Sequence, residues 1–441
     1  MIRLLIVFGT LAAGVSAQTR PAADYSRPCG EAGCHDEFAK RPVVHDPVQQ
    51  GSCDVCHKKL EGDKHAFQLA SKGGKLCTEC HEEKPGKVRH SPVADGECTA
   101  CHDPHGSKTK RLLTAASEGE LCLGCHGDVT KDRKYLHGPV GAGECTACHR
   151  AHASDQAKLL SAAPKELCLG CHQDVQDRLA ARKHKHAPAE DDCTGCHDPH
   201  GSNQKTMTTA AVPELCYSCH DAIAEAVKNA SVPHRVVAEG DSCAACHDAH
   251  ASDAGKLLVK DQLSLCLSCH DKAIETKTGK LSDMKKLLAD NPQHHGPVAE
   301  KSCTECHGKV HGGNEYRLLS AAYPREFYVS YDEKRYALCF GCHEAEAFKA
   351  ESTDSATGFR NGKQNLHFVH VNRKTKGRSC RACHLVHASK AAKHVADTVP
   401  FGQWQIPINF KATDTGGSCR PGCHRAYRYD RESPVANLPG S

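Results

Sequence analysis

The sequence predicts an irregular, loop-rich fold of short α-helices with little or no β-structure, laid out as a repeat array instead of around an apolar core. Three observations predict it. All 30 cysteines of the 441 residues fall into fifteen pairs, and a histidine directly follows the second cysteine of every pair. The pairs recur with a period: first motifs begin at Cys53, Cys98, Cys145, Cys193 and Cys243, spaced by 45, 47, 48 and 50 residues. Aromatic residues make up only 5%, and the hydrophobic fraction of 39% includes the cysteines, so an ordinary large core is out of reach.

Thirteen of the fifteen have the form Cys-x-x-Cys-His. In order these are Cys53/Cys56/His57, Cys77/Cys80/His81, Cys98/Cys101/His102, Cys122/Cys125/His126, Cys145/Cys148/His149, Cys168/Cys171/His172 and Cys193/Cys196/His197. They continue with Cys216/Cys219/His220, Cys243/Cys246/His247, Cys266/Cys269/His270, Cys303/Cys306/His307, Cys339/Cys342/His343 and Cys380/Cys383/His384. Two are stretched, Cys29/Cys34/His35 and Cys419/Cys423/His424. Paired cysteines also suit zinc or disulfide frameworks, but neither explains a histidine at all fifteen places. Covalent haem c does: each thiol adds to a vinyl group and the next imidazole takes the iron. The chain is expected to carry about fifteen haems, with the porphyrins as its core and an unfolded apoprotein. For Cys29 and Cys34 a local disulfide is the alternative.

Taken in order, residues 1–17 read as an export signal: Met1-Ile2-Arg3, an apolar run from Leu4 to Val15, and a small-residue cleavage site at Val15-Ser16-Ala17. No later segment is apolar enough to span a membrane. Residues 18–50 hold the first motif, 51–300 the regular two-haem repeats, 301–375 an expanded two-haem repeat with insertions, and 376–441 a haem-binding segment and tail. Ser117 with Glu120 has capping-box spacing, Pro164 and Pro213 suit a first helical turn, and Asp221 to Asn229 reads as a short helix. The tail from Val399 to Tyr429, with the only tryptophan, Trp404, is a cap or docking element or else surface coil. A formal charge of +4 becomes acidic once roughly thirty haem propionates are counted, so nucleic acid is excluded as a partner.

Eighteen histidines lie outside the motifs. One series stands about eight residues before each first motif: His45, His90, His137, His186, His234, His295 and His370. A second follows the motif: His65, His105, His152, His200, His250, His311 and His387. These are the candidate second axial ligands. His184, His294, His367 and His394 remain, and His394 is taken as the fifteenth. His105 is too close to His102 to face it across one iron, so it is expected to serve a neighbouring haem, as are His152, His200 and His250. Methionine ligation is nearly excluded, since Met207 and Met284 are the only methionines beyond the signal. Bis-histidine irons favour low potentials and electron transfer, and leave no open position for catalysis.

The unit Cys101-His102-Asp-Pro-His105-Gly-Ser…Leu112-Leu113…Leu121-Cys122-Leu-Gly-Cys125-His126 resembles the doubled-CXXCH multihaem c-type cytochromes, which include decahaem conduits seated in outer-membrane porins. The likeness covers residues 45–345, with 378–387 continuing it. It implies a relay around a linear haem chain, placed in the periplasm, at the outer membrane or outside the cell. The implied partners are periplasmic donor cytochromes, a β-barrel porin or an extracellular cytochrome. Fifteen motifs and a distinct tail depart from the decahaem pattern. A reductase of small oxyanions with one open iron, or a self-assembling filament subunit, are the alternatives.

Overall fold

The structure is a computed structural model that describes residues 27–31, 33–62, 65–238, 242–276 and 279–437. The expected export signal lies outside these. The chain divides into two compact units, Met1–Leu167 with Pro199–Asn203, and Cys168–Asp198 with Gln204–Ser441. No helix among the described residues is long and apolar enough to cross a membrane.

Both units are built from the same local parts. First motifs form single 3-10 turns such as Cys98–Ala100, Cys145–Ala147 and Cys193–Gly195. Second motifs close short helices such as Glu118–Leu123 and Gln262–Leu267. The Ser117 hydroxyl accepts from the Glu120 amide, and the Glu120 carboxylate accepts from the Ala116 amide, completing a capping box displaced by one residue. Pro164 opens its helix, Pro164–Leu169, while Pro213 takes the cap position before Glu214–Tyr217. Asp221–Lys228 is a helix, as the sequence predicts.

The strands are the part the sequence hid. Among the described residues there are twenty-one, each of two to four residues, and no closed sheet. Ten of them are rungs that tie one repeat to the next. In the first unit Val43–Val44 pairs with Gly106–Ser107, Val88–Arg89 with Ala153–Ser154, and Tyr135–Leu136 with Gly201–Ser202. In the second, His184–Lys185 pairs with Ala251–Ser252, Gln293–His294 with Ala388–Ser389, and Val232 bridges Gly313. In each case the segment before a pre-motif histidine meets the segment after the next post-motif histidine. A two-residue rung has no alternating pattern to betray it, so the expectation of little β-structure holds only for extended sheets.

Apolar cores occur late in the chain. One holds Val329, Tyr336 and Val371 with Tyr331, Phe340 and Phe348 against it; another holds Ala396, Val399 and Ile408 with Phe327, Ile406 and Phe410. The tail is folded, not coil. A hairpin, Thr398–Phe401 with Trp404–Pro407, leads to a three-stranded sheet of Lys411–Ala412, Gly416–Cys419 and Tyr427–Asp430. That sheet is fastened to Asn361, whose carboxamide oxygen accepts from the Asp430 and Val435 amides at 3.2 and 2.8 Å.

Candidate functional site

In each standard motif outside the first, the histidine amide donates to the carbonyl of the first cysteine: at 2.9 Å in His81 and His126, and at 3.0 Å in His102, His149 and His307. This closes one helical turn and brings the two thiols onto neighbouring positions. The stretched first motif reaches the same closure, since the His35 amide donates to Cys29 O at 3.1 Å. None of the thirty cysteines is in a disulfide, so the local bridge considered for Cys29 and Cys34 does not form.

Consecutive motifs meet through their leading cysteines. The Cys77 thiol hydrogen-bonds Cys98, Cys122 bonds Cys145, Cys216 bonds Cys243, Cys266 bonds Cys303 and Cys339 bonds Cys380. Glycine makes the first of these approaches possible: a Cβ on Gly74 would lie 2.8 Å from Gly96 Cα, and Gly96 itself has φ +73°. Burial, with the facing Cys98 thiol, pushes Cys77 up to about 11, and burial with Cys145 does the same to Cys122. These thiols are neutral at pH 7, unlike the thiolates of a zinc site. Among the described residues no three His, Cys, Asp or Glu side chains converge as metal ligands.

The trailing cysteines of the second motifs are placed differently from the leading ones. Cys80, Cys171 and Cys342 are exposed, each with its amide donating to the leading cysteine's carbonyl at 3.2 Å, and Cys423 of the stretched last motif is exposed as well. Cys125, Cys219 and Cys269 are exposed in the same way, so the polypeptide alone leaves these thiols uncovered. A short helix buries one side, and the trailing thiol falls on the other, where the porphyrin would cover it. Cys148, in a first motif, is half-buried; its amide donates to Cys145 O at 3.3 Å and its carbonyl accepts from the Ser161 amide at 2.8 Å. His172 caps the helix Gln173–Ala181, and its carbonyl accepts from the Val175 and Gln176 amides at 3.2 Å.

The histidines come together in twos. First-motif histidines before His384 face the post-motif histidine of the following repeat: His57 with His105 at 6.1 Å between ring centres, His102 with His152 at 6.0 Å, His149 with His200 at 6.2 Å and His197 with His250 at 6.1 Å. The series goes on with His247 and His311 at 6.1 Å and His307 and His387 at 6.2 Å, and begins with His35 and His65 at 6.0 Å. Second-motif histidines face the pre-motif histidine of their own repeat: His81 with His45 at 5.9 Å, His126 with His90 at 5.8 Å, His220 with His186 at 6.1 Å and His343 with His295 at 6.0 Å. His270 neighbours His234, and His424 faces His370 at 6.4 Å.

Backbone carbonyls fix the rings. The Nδ1 atoms of His45, His90, His137, His186 and His234 donate to the carbonyls of Pro104, Ala151, Pro199, Ala249 and Val310 at 2.8 to 3.0 Å. Those of His102, His149, His197, His247, His307 and His384 donate to Arg111, Lys158, Thr206, Lys256, Arg317 and Lys393 over the same range. A carbonyl only accepts, so Nδ1 carries the hydrogen and Nε2 keeps its lone pair. Burial lowers the pKa of His105, His152, His250, His295 and His311, and takes His387 down to about 4, so these imidazoles are neutral at pH 7.

The four remaining histidines are set apart from this pattern. His184 lies in a rung, and the His294 Nε2 meets Leu288 O at 3.0 Å. His394 packs edge-on to His295 at 5.5 Å, while His367 lies between Phe348 and Phe359. Met207 occupies a left-handed turn (φ 55°) and Met284 opens the helix Met284–Asp290. Sequence reasoning missed Arg41 and Arg182, which brace rungs through Asp103 and Asp253, both at 2.5 Å. A basic residue two places before each of those rungs was the available signal.

Compared with known protein families, the chain matches the doubled CXXCH motif over six segments, 45–86, 90–131, 137–177, 186–225, 234–275 and 295–348, together more than half its length. The chain belongs to the doubled CXXCH family of multihaem c-type cytochromes. Each matched segment of this cytochrome starts at a pre-motif histidine and ends beyond a second motif. Comparison with curated proteins finds no match. Membership means covalent haem c at the doubled motifs, in a family typically exported and associated with electron transfer.

Proposed function

We propose that this cytochrome carries about fifteen haems, each iron held between two histidines, and relays electrons between exported redox proteins. The observation that carries the reading is the recurring pair of imidazoles, 5.8 to 6.4 Å apart in twelve cases. Two nitrogens each about 2 Å from a shared metal ion put the ring centres about 6 Å apart. Wherever a carbonyl holds Nδ1, the ring is oriented and Nε2 is presented, the usual duty of a second shell. Haem bound there supplies a one-electron couple, low in potential because no methionine ligates it.

The chain's own residues do the rest. Rungs between repeats hold His pairs closed, and paired thiols wait at neighbouring positions for attachment, neutral at Cys77 and Cys122, while the bond from Cys266 draws Cys303 down to about 7. Thiol neighbours also follow chain order: Cys56 with Cys77 and Cys101 with Cys125 in the first unit, Cys196 with Cys219, Cys246 with Cys269, Cys306 with Cys339 and Cys383 with Cys419 in the second. That order supports a file of haems within each unit. With both axial positions filled, no place remains for a small oxyanion, which favours a relay over a reductase. Periplasmic donors, and a porin or extracellular cytochrome as acceptor, are the partners this reading calls for; a filament subunit would differ in assembly alone.

Haem quantitation against protein mass, with electron paramagnetic resonance of the oxidised protein, tests the proposal. About fifteen haems with only low-spin ferric signals are expected. A stoichiometric high-spin signal would mean an open iron and would put the reductase first.

A further inference from the structure

We propose that His367, and not His394, is the second histidine for the iron at Cys380/Cys383/His384, so that one helix turn serves the last two haem sites. The inference rests on the paired-histidine reading above. In that scheme a first-motif histidine takes its partner from the repeat that follows, and no further repeat follows His387. The partner of His384 must come from elsewhere, and His367 and His394 are both its neighbours.

His394 stands on the wrong side. The His384 Nδ1 donates to Lys393 O at 2.8 Å, so residue 394 lies beside the Nδ1 edge of that ring, whereas a ligand must face Nε2. Its place in the repeat agrees. In earlier repeats the residue after the accepting carbonyl is Leu112, Leu159, Met207, Leu257 or Leu318, each with a positive φ of 54 to 62°, and His394 shares it at 54°. His394 thus fills the position of an apolar side chain, and its ring packs against His295. Taking it as the fifteenth ligand from sequence counted a histidine without knowing which face of the turn it occupied.

His367 has the attributes of the assigned ligands. It lies on the helix Leu366–Val371 one turn before His370, on the same face, and His370 already faces His424. Its ring is held between Phe348 at 5.1 Å and Phe359 at 5.2 Å, and its Nδ1 is 2.8 Å from Thr357 Oγ1, which fixes the ring as a carbonyl does elsewhere. The helix is anchored by fully buried Asn365, whose amide donates to Ala347 O and Ala350 O at 2.9 Å and whose oxygen accepts from the Phe368 amide. The insert before Cys380 is then not a spacer but the ligand-bearing element of the terminal pair.

The test compares haem-counted, oxidised full-length proteins by electron paramagnetic resonance. His367→Leu should show a high-spin ferric signal equal to about one iron in fifteen, and His394→Leu none. His367→Met should return that iron to low spin with one haem raised in potential, which a general packing defect would not do. A high-spin iron in His394→Leu, or an entirely low-spin His367→Leu, would overturn the assignment. A high-spin signal already in the unmutated protein would overturn the paired-histidine reading, and this inference with it.

Discussion

Removing Arg41 should open one rung and leave its neighbour shut. The guanidinium bonds Asp103 at 2.5 Å and the Gly106 carbonyl, and lies 5.1 Å over Phe38, which stacks on His105 at 4.5 Å. It therefore joins the segment before His45 to the turn that presents His105. Charge-assisted bonds contribute about 1.5–3 kcal/mol when desolvated; with side chains 30% and 31% exposed, about 1 kcal/mol each is the fair discount. The cation–π contact adds about 0.5–1 kcal/mol. Arg41→Ala should thus cost about 2–3 kcal/mol locally, roughly a 30- to 150-fold rise in opening. Amide hydrogen exchange on the holo protein reads it at His45, whose N–H donates to His105 O at 3.3 Å. The equivalent His90 amide, bonded to His152 O at 2.9 Å, is the internal control, because Gly86 and Arg150 stand where Arg41 and Asp103 do. Burial raises the Asp103 carboxyl, but the His105 amide and Arg41 outweigh it and hold the pKa below its ordinary value. A depressed carboxyl contributes stability that is present above the unfolded value of about 3.9 and is lost as pH falls through the folded one. Protection at His45, corrected for intrinsic exchange, should therefore be flat from about pH 5 to 8 and fall only in stronger acid. Unchanged exchange at His45, or equal loss at both rungs, would refute the reasoning.

Three other outcomes are expected. Gly74→Ala should lower the thermal midpoint by the equivalent of about 1–3 kcal/mol, since its Cβ meets Gly96 backbone, whereas Gly127→Ala, with open space around it, should be near neutral. Asn365→Ala should cost about 3 kcal/mol in denaturant titration, because two inward carbonyls lose their donor at a fully buried site. Apoprotein made without haem attachment should give the circular dichroism of a largely disordered chain, because among the described residues the buried apolar clusters lie within 327–410; a native-like spectrum would count against haem as the missing core.

Much of the site was legible because its chemistry is local. Two thiols and an imidazole within five residues define an attachment turn whatever surrounds them, and Ser117 with Glu120 marks a helix start by spacing alone. The two histidine series could be seen as regular, and the closeness of His105 to His102 pointed outward to another haem. Which one could not be read: His105 meets His57 because a two-residue rung crosses between repeats, and so short a pairing leaves no period in the sequence. The split between half-buried leading thiols such as Cys77 and exposed trailing ones such as Cys80 was equally hidden, because it depends on which side of a short helix meets the next motif. His394 shows the same limit, since its role turns on the handedness of a turn shared with Leu112 and Met207. The folded tail was open between two readings because its sheet is held by Asn361 from a distant segment.

A density map of the holo protein at the iron of Cys53/Cys56/His57 tests the account most directly. Iron bound by His57 on one side and by His105, from the following repeat, on the other is the predicted result. Coordination by His45 or His65, or an open position opposite His57, would contradict it.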